Sequence, residues 1–180
     1  MFKHVKLKWG LALVLPALAA LLLAAGASAD PAPTVTFSSS NDGASAGWTQ
    51  GKGSAIDLTL GSSPGSFAVV RLHHVHGTAV DGLAEPVFST SDYAAGSPRY
   101  FVELSNGDSL WGYPPNSGLN GGTDFAWAIN NGNTYMSWAA VQEAESGATV
   151  TAAYVVADAD QAAGTTDVIT GLTFGDLDFN

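Results

Sequence analysis

The chain has no cysteine and few basic residues. Its 180 residues include six Lys and Arg against 16 Asp and Glu, which gives a formal net charge of −10 at pH 7. Without disulfides, packing must supply the stability of the fold unless a metal contributes. An acidic surface repels nucleic acids and anionic membranes. It is compatible with neutral partners such as glycans and with cationic partners, and the alternative is that it serves solubility alone.

The first 29 residues have the pattern of a secretory signal peptide. Three lysines come first, an apolar run over 11–25 follows, and an Ala-Ser-Ala site predicts cleavage after Ala29. The apolar run is short for a membrane span, and no second such run follows it. We therefore expect a secreted, extracellular protein with no membrane anchor after cleavage. Residues 30–180 then form a single domain with three basic and 16 acidic residues.

Short alternating runs separated by Gly, Asn and Asp predict an all-β fold. Residues 55–60 place apolar side chains on one face, and Asn106-Gly107 between two such runs predicts a β-hairpin. Only residues 136–145 have helical spacing, and no β-α alternation indicates a parallel sheet. Eight or nine strands with one short helix predict an antiparallel β-sandwich that resembles a jelly roll.

All histidines after the signal segment lie in one run, FAVVRLHHVHG, over residues 67–77. Apolar residues on both faces of this run predict a central strand that is buried on both sides. On a strand, His74 and His76 project together while His73 points away. His74 and His76 could then act as a pair of metal ligands, but a metal site needs a third ligand from elsewhere. Cupin-type sites have a Glu a few residues after the second His, whereas the next Glu here, Glu85, lies across a loop.

A divalent metal on His74 and His76 is therefore a cofactor that the sequence leaves open. The alternative is a set of histidines at the end of a strand, hydrogen-bonded to backbone or water.

Large rings beside a Gly- and Asn-rich loop indicate a second kind of site. Aromatic rings in such a loop can stack on sugar faces, and nearby amide and carboxylate groups can hydrogen-bond to hydroxyls. The candidate ligand-binding set is Trp111, Tyr113, Asn116, Asn120 and Asp124. The alternative is core packing, which we expect for Trp127 and Trp138.

Two groups of acidic residues suggest weaker hypotheses. Glu103 and Asp57 lie on predicted strands and could flank a cleft like the paired carboxylates of a glycosidase, although no local motif links them. No G-x-S-x-G motif indicates a serine nucleophile. Asp158, Asp160 and Asp167 fall in one acidic turn, where oxygen ligands could hold Ca²⁺. Their spacing is not that of an EF-hand, and a solvated turn is the alternative.

Three segments resemble secreted proteins of high-GC Gram-positive bacteria. These segments are LHHVHGTAV at 72–80, YAAGSPRYFVELSNGDSLWGYP at 93–114 and AYVVADADQAAGTTDVITGL at 153–172. The resemblance implies secretion and a β-sandwich, but no activity is assigned to that group. More loosely, the predicted architecture is similar to that of carbohydrate-binding modules.

The sequence therefore predicts a non-catalytic binding domain for a glycan or another cell-surface component. A metal-dependent or carboxylate-based extracellular hydrolase is the first alternative, and a structural envelope protein is the second. The oligomeric state stays open.

Overall fold

The computed structural model describes residues 32–49, 55–90, 97–122, 124–158 and 164–180, so the predicted signal segment lies outside the described residues. This part of the chain contains eleven strands and one α-helix, which confirms the all-β class. They are β1 (Val35–Ser39), β2 (Ser45–Trp48), β3 (Ile56–Thr59), β4 (Phe67–Leu72), β5 (Val87–Thr90), β6 (Arg99–Leu104), β7 (Ser109–Tyr113), β8 (Ala126–Ile129), α1 (Trp138–Ala144), β9 (Val150–Asp158), β10 (Thr166–Phe174) and β11 (Leu177–Asp178). None of the helices described is long and apolar enough to cross a membrane.

The strands form two sheets in which every strand pair is antiparallel. The six-stranded sheet has the order β1-β4-β9-β6-β7-β8. The five-stranded sheet has the order β11-β10-β3-β2, and β5 also pairs with β10. The central pair of the larger sheet is therefore β9 and β6.

Tyr100 on β6 connects the two sheets. Its ring is fully buried and contacts Phe88 on β5 and Phe174 on β10, with centroid separations of 5.2 and 6.2 Å. Its hydroxyl lies 3.1 Å from the carbonyl oxygen of Val87 and 2.5 Å from that of Thr173. A buried hydroxyl needs a hydrogen-bond partner, so this side chain links the larger sheet to the backbone of the smaller one.

The predicted central strand over residues 67–76 is wrong in both length and burial. β4 ends at Leu72, and it lies second from the edge of its sheet. Its inward side chains are buried, but Phe67 is 40% exposed and Arg71 is exposed on the opposite face. The chain then turns, because His74 adopts a left-handed conformation with φ of 66°.

Residues 38–53 are rich in Ser, Gly, Asn and Asp, which predicts a loop around Trp48, but this segment contains a strand. β2 pairs with β3, with Trp48 opposite Ile56, and the Trp48 ring packs edge-on against Phe37 at 5.8 Å. The residues of β2 are Ser, Ala, Gly and Trp, so they show no apolar alternation. Pairing with β3 decides their conformation, and a single-sequence pattern does not record that pairing.

The predicted hairpin and helix are confirmed. β6 pairs with β7, and the Leu104 N–H donates to the Asp108 carbonyl at 2.9 Å around a three-residue loop. Only Gly107 in that loop has positive φ, at 91°, so the turn differs from the two-residue form that Asn-Gly favours. The helix α1 begins after Ser137, whose hydroxyl accepts from the Ala140 N–H.

Asp42 connects the β1–β2 loop to the β3–β4 loop. Its carboxylate accepts hydrogen bonds from the Ser40 hydroxyl at 2.6 Å and from the Ser63 N–H at 2.9 Å. These hydrogen bonds hold the pKa of Asp42 well below its usual value. A carboxylate with a lowered pKa in the folded state stabilises the protein above the pKa that it has when unfolded.

We therefore expect Asp42→Asn to lower the free energy of unfolding at pH 7. The difference from the wild type should shrink as the pH falls below about 4, because the unfolded chain then takes up the proton first. Urea unfolding of both proteins at pH 7 and at pH 3 measures this. An equal difference at both pH values would show that the carboxylate charge is not responsible.

Gly112 on β7 gives a second test of the fold. A Cβ atom there would lie 2.6 Å from two ring atoms of Trp127, which is fully buried. We expect Gly112→Ala to cost about 1–3 kcal/mol of unfolding free energy through overpacking. Gly47→Ala is the matched control in a strand, since a Cβ there would have no neighbour within 4 Å. Urea unfolding compares them, and similar values for both variants would contradict the prediction.

Candidate functional site

Aromatic side chains form a row across the face of the six-stranded sheet that points away from the core, here called the outer face. Tyr154 on β9 pairs with Phe101 on β6, and Phe101 pairs with Trp111 on β7. The ring centroids are 5.9 Å apart for the first pair and 4.8 Å apart for the second. Arg71 on β4 pairs with Tyr154, and its guanidinium lies 5.9 Å from that ring centroid. The aromatic row therefore consists of Tyr154, Phe101 and Trp111, all partly exposed.

An ion pair lies directly beside the aromatic row. The guanidinium of Arg99 lies 5.2 Å from the centroid of the Trp111 ring and forms an ion pair with Asp158. Arg99 is only 9% exposed, so the pair and the indole ring largely shield it from water. Cation–π attraction and the ion pair together hold Arg99 at a fixed position on the outer face.

A shallow depression of about 420 Å³ extends the outer face beyond the aromatic row. Its walls come from β4, β9 and the loop before β4. They are lined by Pro64, Gly65, Ser66, Phe67, Val69, Val156 and Asp158. Because Val156 and Asp158 follow Tyr154 at alternate positions on β9, the depression and the row share one face of the sheet.

The structure divides the predicted ligand-binding set between two places. Trp111 and Tyr113 lie on the outer face, whereas Asn116 and Asp124 line a separate cavity. The Tyr113 ring packs edge-on against Tyr135 at 5.6 Å, and burial raises the pKa of Tyr113. The side chain of Asn120 lies outside the described residues. The predicted set therefore does not form a single site.

The cavity beside β5 has a volume of about 430 Å³ and contains Glu85, which the sequence patterns did not indicate as a site residue. One oxygen of the Glu85 carboxylate accepts a hydrogen bond from the Trp127 indole N–H at 2.8 Å. Burial and, to a smaller extent, the charge of Asp124 raise the pKa of Glu85. Asn116 also lines this cavity, and its amide donates to the Thr90 carbonyl at 3.2 Å.

The three histidines do not lie on a continuous strand. His73 forms a hydrogen bond of 3.0 Å with the Thr36 hydroxyl, while His74 and His76 are exposed in the turn after β4. The described residues contain no group of three or more His, Cys, Asp or Glu that could hold a metal ion. The alternation that would place His74 and His76 on one side is therefore absent, and metal binding by them stays a prediction.

The predicted acidic groupings are also separated. Asp57 lies on β3 of the smaller sheet and accepts from the Thr49 hydroxyl at 2.7 Å, whereas Glu103 lies on the outer face of the larger sheet. Asp158 lies on β9 and Asp167 on β10, which belong to different sheets, and Asp160 lies outside the described residues.

Comparison with protein-family models, with curated proteins and with solved structures found no match to this chain. The resemblance to secreted proteins of high-GC Gram-positive bacteria stays a prediction from the sequence. Any functional proposal therefore depends on the geometry of the outer face and of the cavity beside β5.

The ion pair on the outer face gives a stability prediction. Asp158→Ala would leave the guanidinium of Arg99 without its carboxylate partner in a largely buried position. We expect a loss of about 1–2 kcal/mol in the free energy of unfolding, since unpaired buried polar groups are costly. Asp176→Ala, at an exposed turn position, is the control and should change it by less than about 0.5 kcal/mol. Denaturant unfolding of the three proteins measures both, and equal stabilities would contradict this role of Asp158.

Proposed function

We propose that this protein is a secreted β-sandwich domain that binds a glycan, without catalysis, on its outer face. The observation that supports this most directly is the aromatic row, because Tyr154, Phe101 and Trp111 are cross-strand neighbours in register. Aromatic rings on adjacent strands of one face form a continuous apolar strip with polar edges. Partly exposed apolar patches of this kind are common at binding surfaces.

The chemistry of a sugar matches the groups on this face. The C–H face of a pyranose ring is apolar and can pack on an aromatic ring, while its hydroxyls need both donors and acceptors. Asp158, whose side chain is 33% exposed, supplies an acceptor beside the Trp111 ring, and its ion pair with Arg99 holds this carboxylate in place. The outer depression gives space for further sugar units along the same face.

Nucleic acid is a less favourable ligand for the same row of rings. Aromatic side chains on a sheet can also stack on bases, but such sites add basic residues that neutralise phosphates. The whole chain has a net charge of −10, and Arg99 is already paired with Asp158. Phosphate binding would therefore face a repulsive field, whereas an uncharged glycan would not.

Affinity electrophoresis tests the proposal, with polysaccharides chosen from a glycan array. We expect one or more neutral polysaccharides to retard the wild-type protein, and Trp111→Ala or Tyr154→Ala to reduce the affinity about tenfold or more, because each removes a stacking ring. Val87→Ala is the matched control, since Val87 is 38% exposed but lies on β5 of the smaller sheet. Its retardation should equal that of the wild type.

Two outcomes would contradict glycan binding through the outer face. One is the absence of retardation by every polysaccharide that the array covers. The other is retardation that Trp111→Ala and Tyr154→Ala leave unchanged in proteins whose unfolding curves show that they are folded. Retardation that EDTA abolishes would instead support the metal-dependent alternative.

A further inference from the structure

The cavity beside β5 is distinct from the outer face, and we propose that it binds an organic ligand that carries a protonated amine. The cavity has a volume of about 430 Å³, which is within the range of small-molecule sites. Its polar wall is formed by Glu85, Asp124 and Asn116, and its apolar wall includes Phe88, Phe125 and Pro114. This inference does not rest on glycan binding, because it concerns other residues and another class of ligand.

The charge of the wall favours a cation. Two carboxylate side chains line the cavity, and none of the described lining residues is basic. Among the described residues, the Trp127 indole is the one hydrogen-bond partner of Glu85, and no guanidinium or ammonium group pairs with this carboxylate. A positively charged ligand would offset the field that Glu85 and Asp124 produce together, whereas an anion would be repelled.

The apolar part of the wall favours an organic cation over a metal ion. Calcium takes six to eight oxygen ligands, and the described lining residues include only two carboxylates. Phe88, Phe125 and Pro114 would instead contact a hydrocarbon ring or chain. An ammonium group has three N–H donors and no acceptor, which complements carboxylate oxygens. A primary amine on an apolar ring therefore matches both halves of the wall.

Trp127 holds Glu85 in place for this role. The indole is fully buried, and its ring packs against Trp138 at 4.8 Å and against Tyr100 at 5.9 Å. Its N–H donates to one oxygen of Glu85 at 2.8 Å. The donor is rigid, so the carboxylate keeps its position without a ligand, and little conformational entropy is lost when a ligand binds.

Calorimetric titration of the protein with cyclohexylammonium at pH 7 tests the proposal. We expect a dissociation constant on the order of 1 mM, which is reasonable for so small a ligand. Cyclohexanol and cyclohexanecarboxylate have the same ring with a neutral and an anionic group, and both should bind at least about tenfold more weakly. Equal binding of cyclohexanol would overturn the assignment, and this comparison needs no variant.

Variants locate the binding site. Glu85→Gln should weaken cyclohexylammonium binding about tenfold or more, because it removes a charge-assisted hydrogen bond while its amide oxygen can still accept from Trp127. Asp124→Asn is a second variant in case Glu85→Gln impairs folding, and it should weaken binding in the same direction. Glu143→Gln, exposed on α1, is the matched control and should bind like the wild type.

The Trp127 indole N–H gives a direct readout in ¹⁵N-labelled protein. Its NMR signal should shift during the titration of the wild type with cyclohexylammonium, since it is bonded to the carboxylate that meets the ligand. A ligand that binds without moving this signal binds elsewhere, and that result would overturn the proposal. Loss of glycan binding in the outer-face variants would leave the titration unchanged, so the two proposals fail independently.

Acidification gives a further check. A cation favours the ionised carboxylate, so the affinity of the wild type should fall as the pH is lowered and Glu85 takes up its proton. Asp124 is the other titratable group among the described lining residues. Glu85→Gln should therefore show a weaker pH dependence than the wild type, and an unchanged pH dependence in this variant would contradict a role for Glu85.

Discussion

Burial of the Tyr100 hydroxyl is the constraint on which the arrangement of the two sheets depends. The ring is fully buried, and its hydroxyl reaches the carbonyl oxygens of Val87 and Thr173, which are paired residues of the smaller sheet. Such a group is tolerated only with an acceptor at the right distance, so the separation of β6 from β5 and β10 is closely defined. The cavity beside β5 depends on this spacing because β5 lines it, whereas the aromatic row depends on strand register within the larger sheet.

The sequence predicted those elements whose own residues contain the signal. Residues 55–60 alternate because one face of β3 is buried, and the β6–β7 hairpin has a Gly in its turn. β2 was missed because pairing with β3, rather than its composition, makes it a strand. The run 67–76 was predicted as one strand, but β4 ends at Leu72. Apolar residues continue beyond Leu72, so the sequence pattern does not show where the strand ends.

The candidate sites were predictable only in part, for a related reason. Trp111 stands out in the sequence, but its ring neighbours Phe101 and Tyr154 come from other strands, and strand register determines that they meet. Glu85 has no local motif, and it becomes notable only because the fold brings it to Trp127 and Asp124. Binding surfaces on antiparallel sheets are assembled across strands, so single-sequence patterns identify individual residues more readily than sets.

The order of the strands also has a consequence for how the chain folds. Thr59 on β3 meets Thr166 on β10 across 107 residues, and β4 pairs with β9 over a comparably long interval. Neither sheet can be completed before the last third of the chain is present, because that third supplies a central strand to each. Closing such long loops costs entropy before the contacts form, which makes folding slow for a domain of this size. β1 can pair with β4, and β2 with β3, before the last third of the chain is present. The other edges of β4 and β3 stay unpaired until β9 and β10 join them.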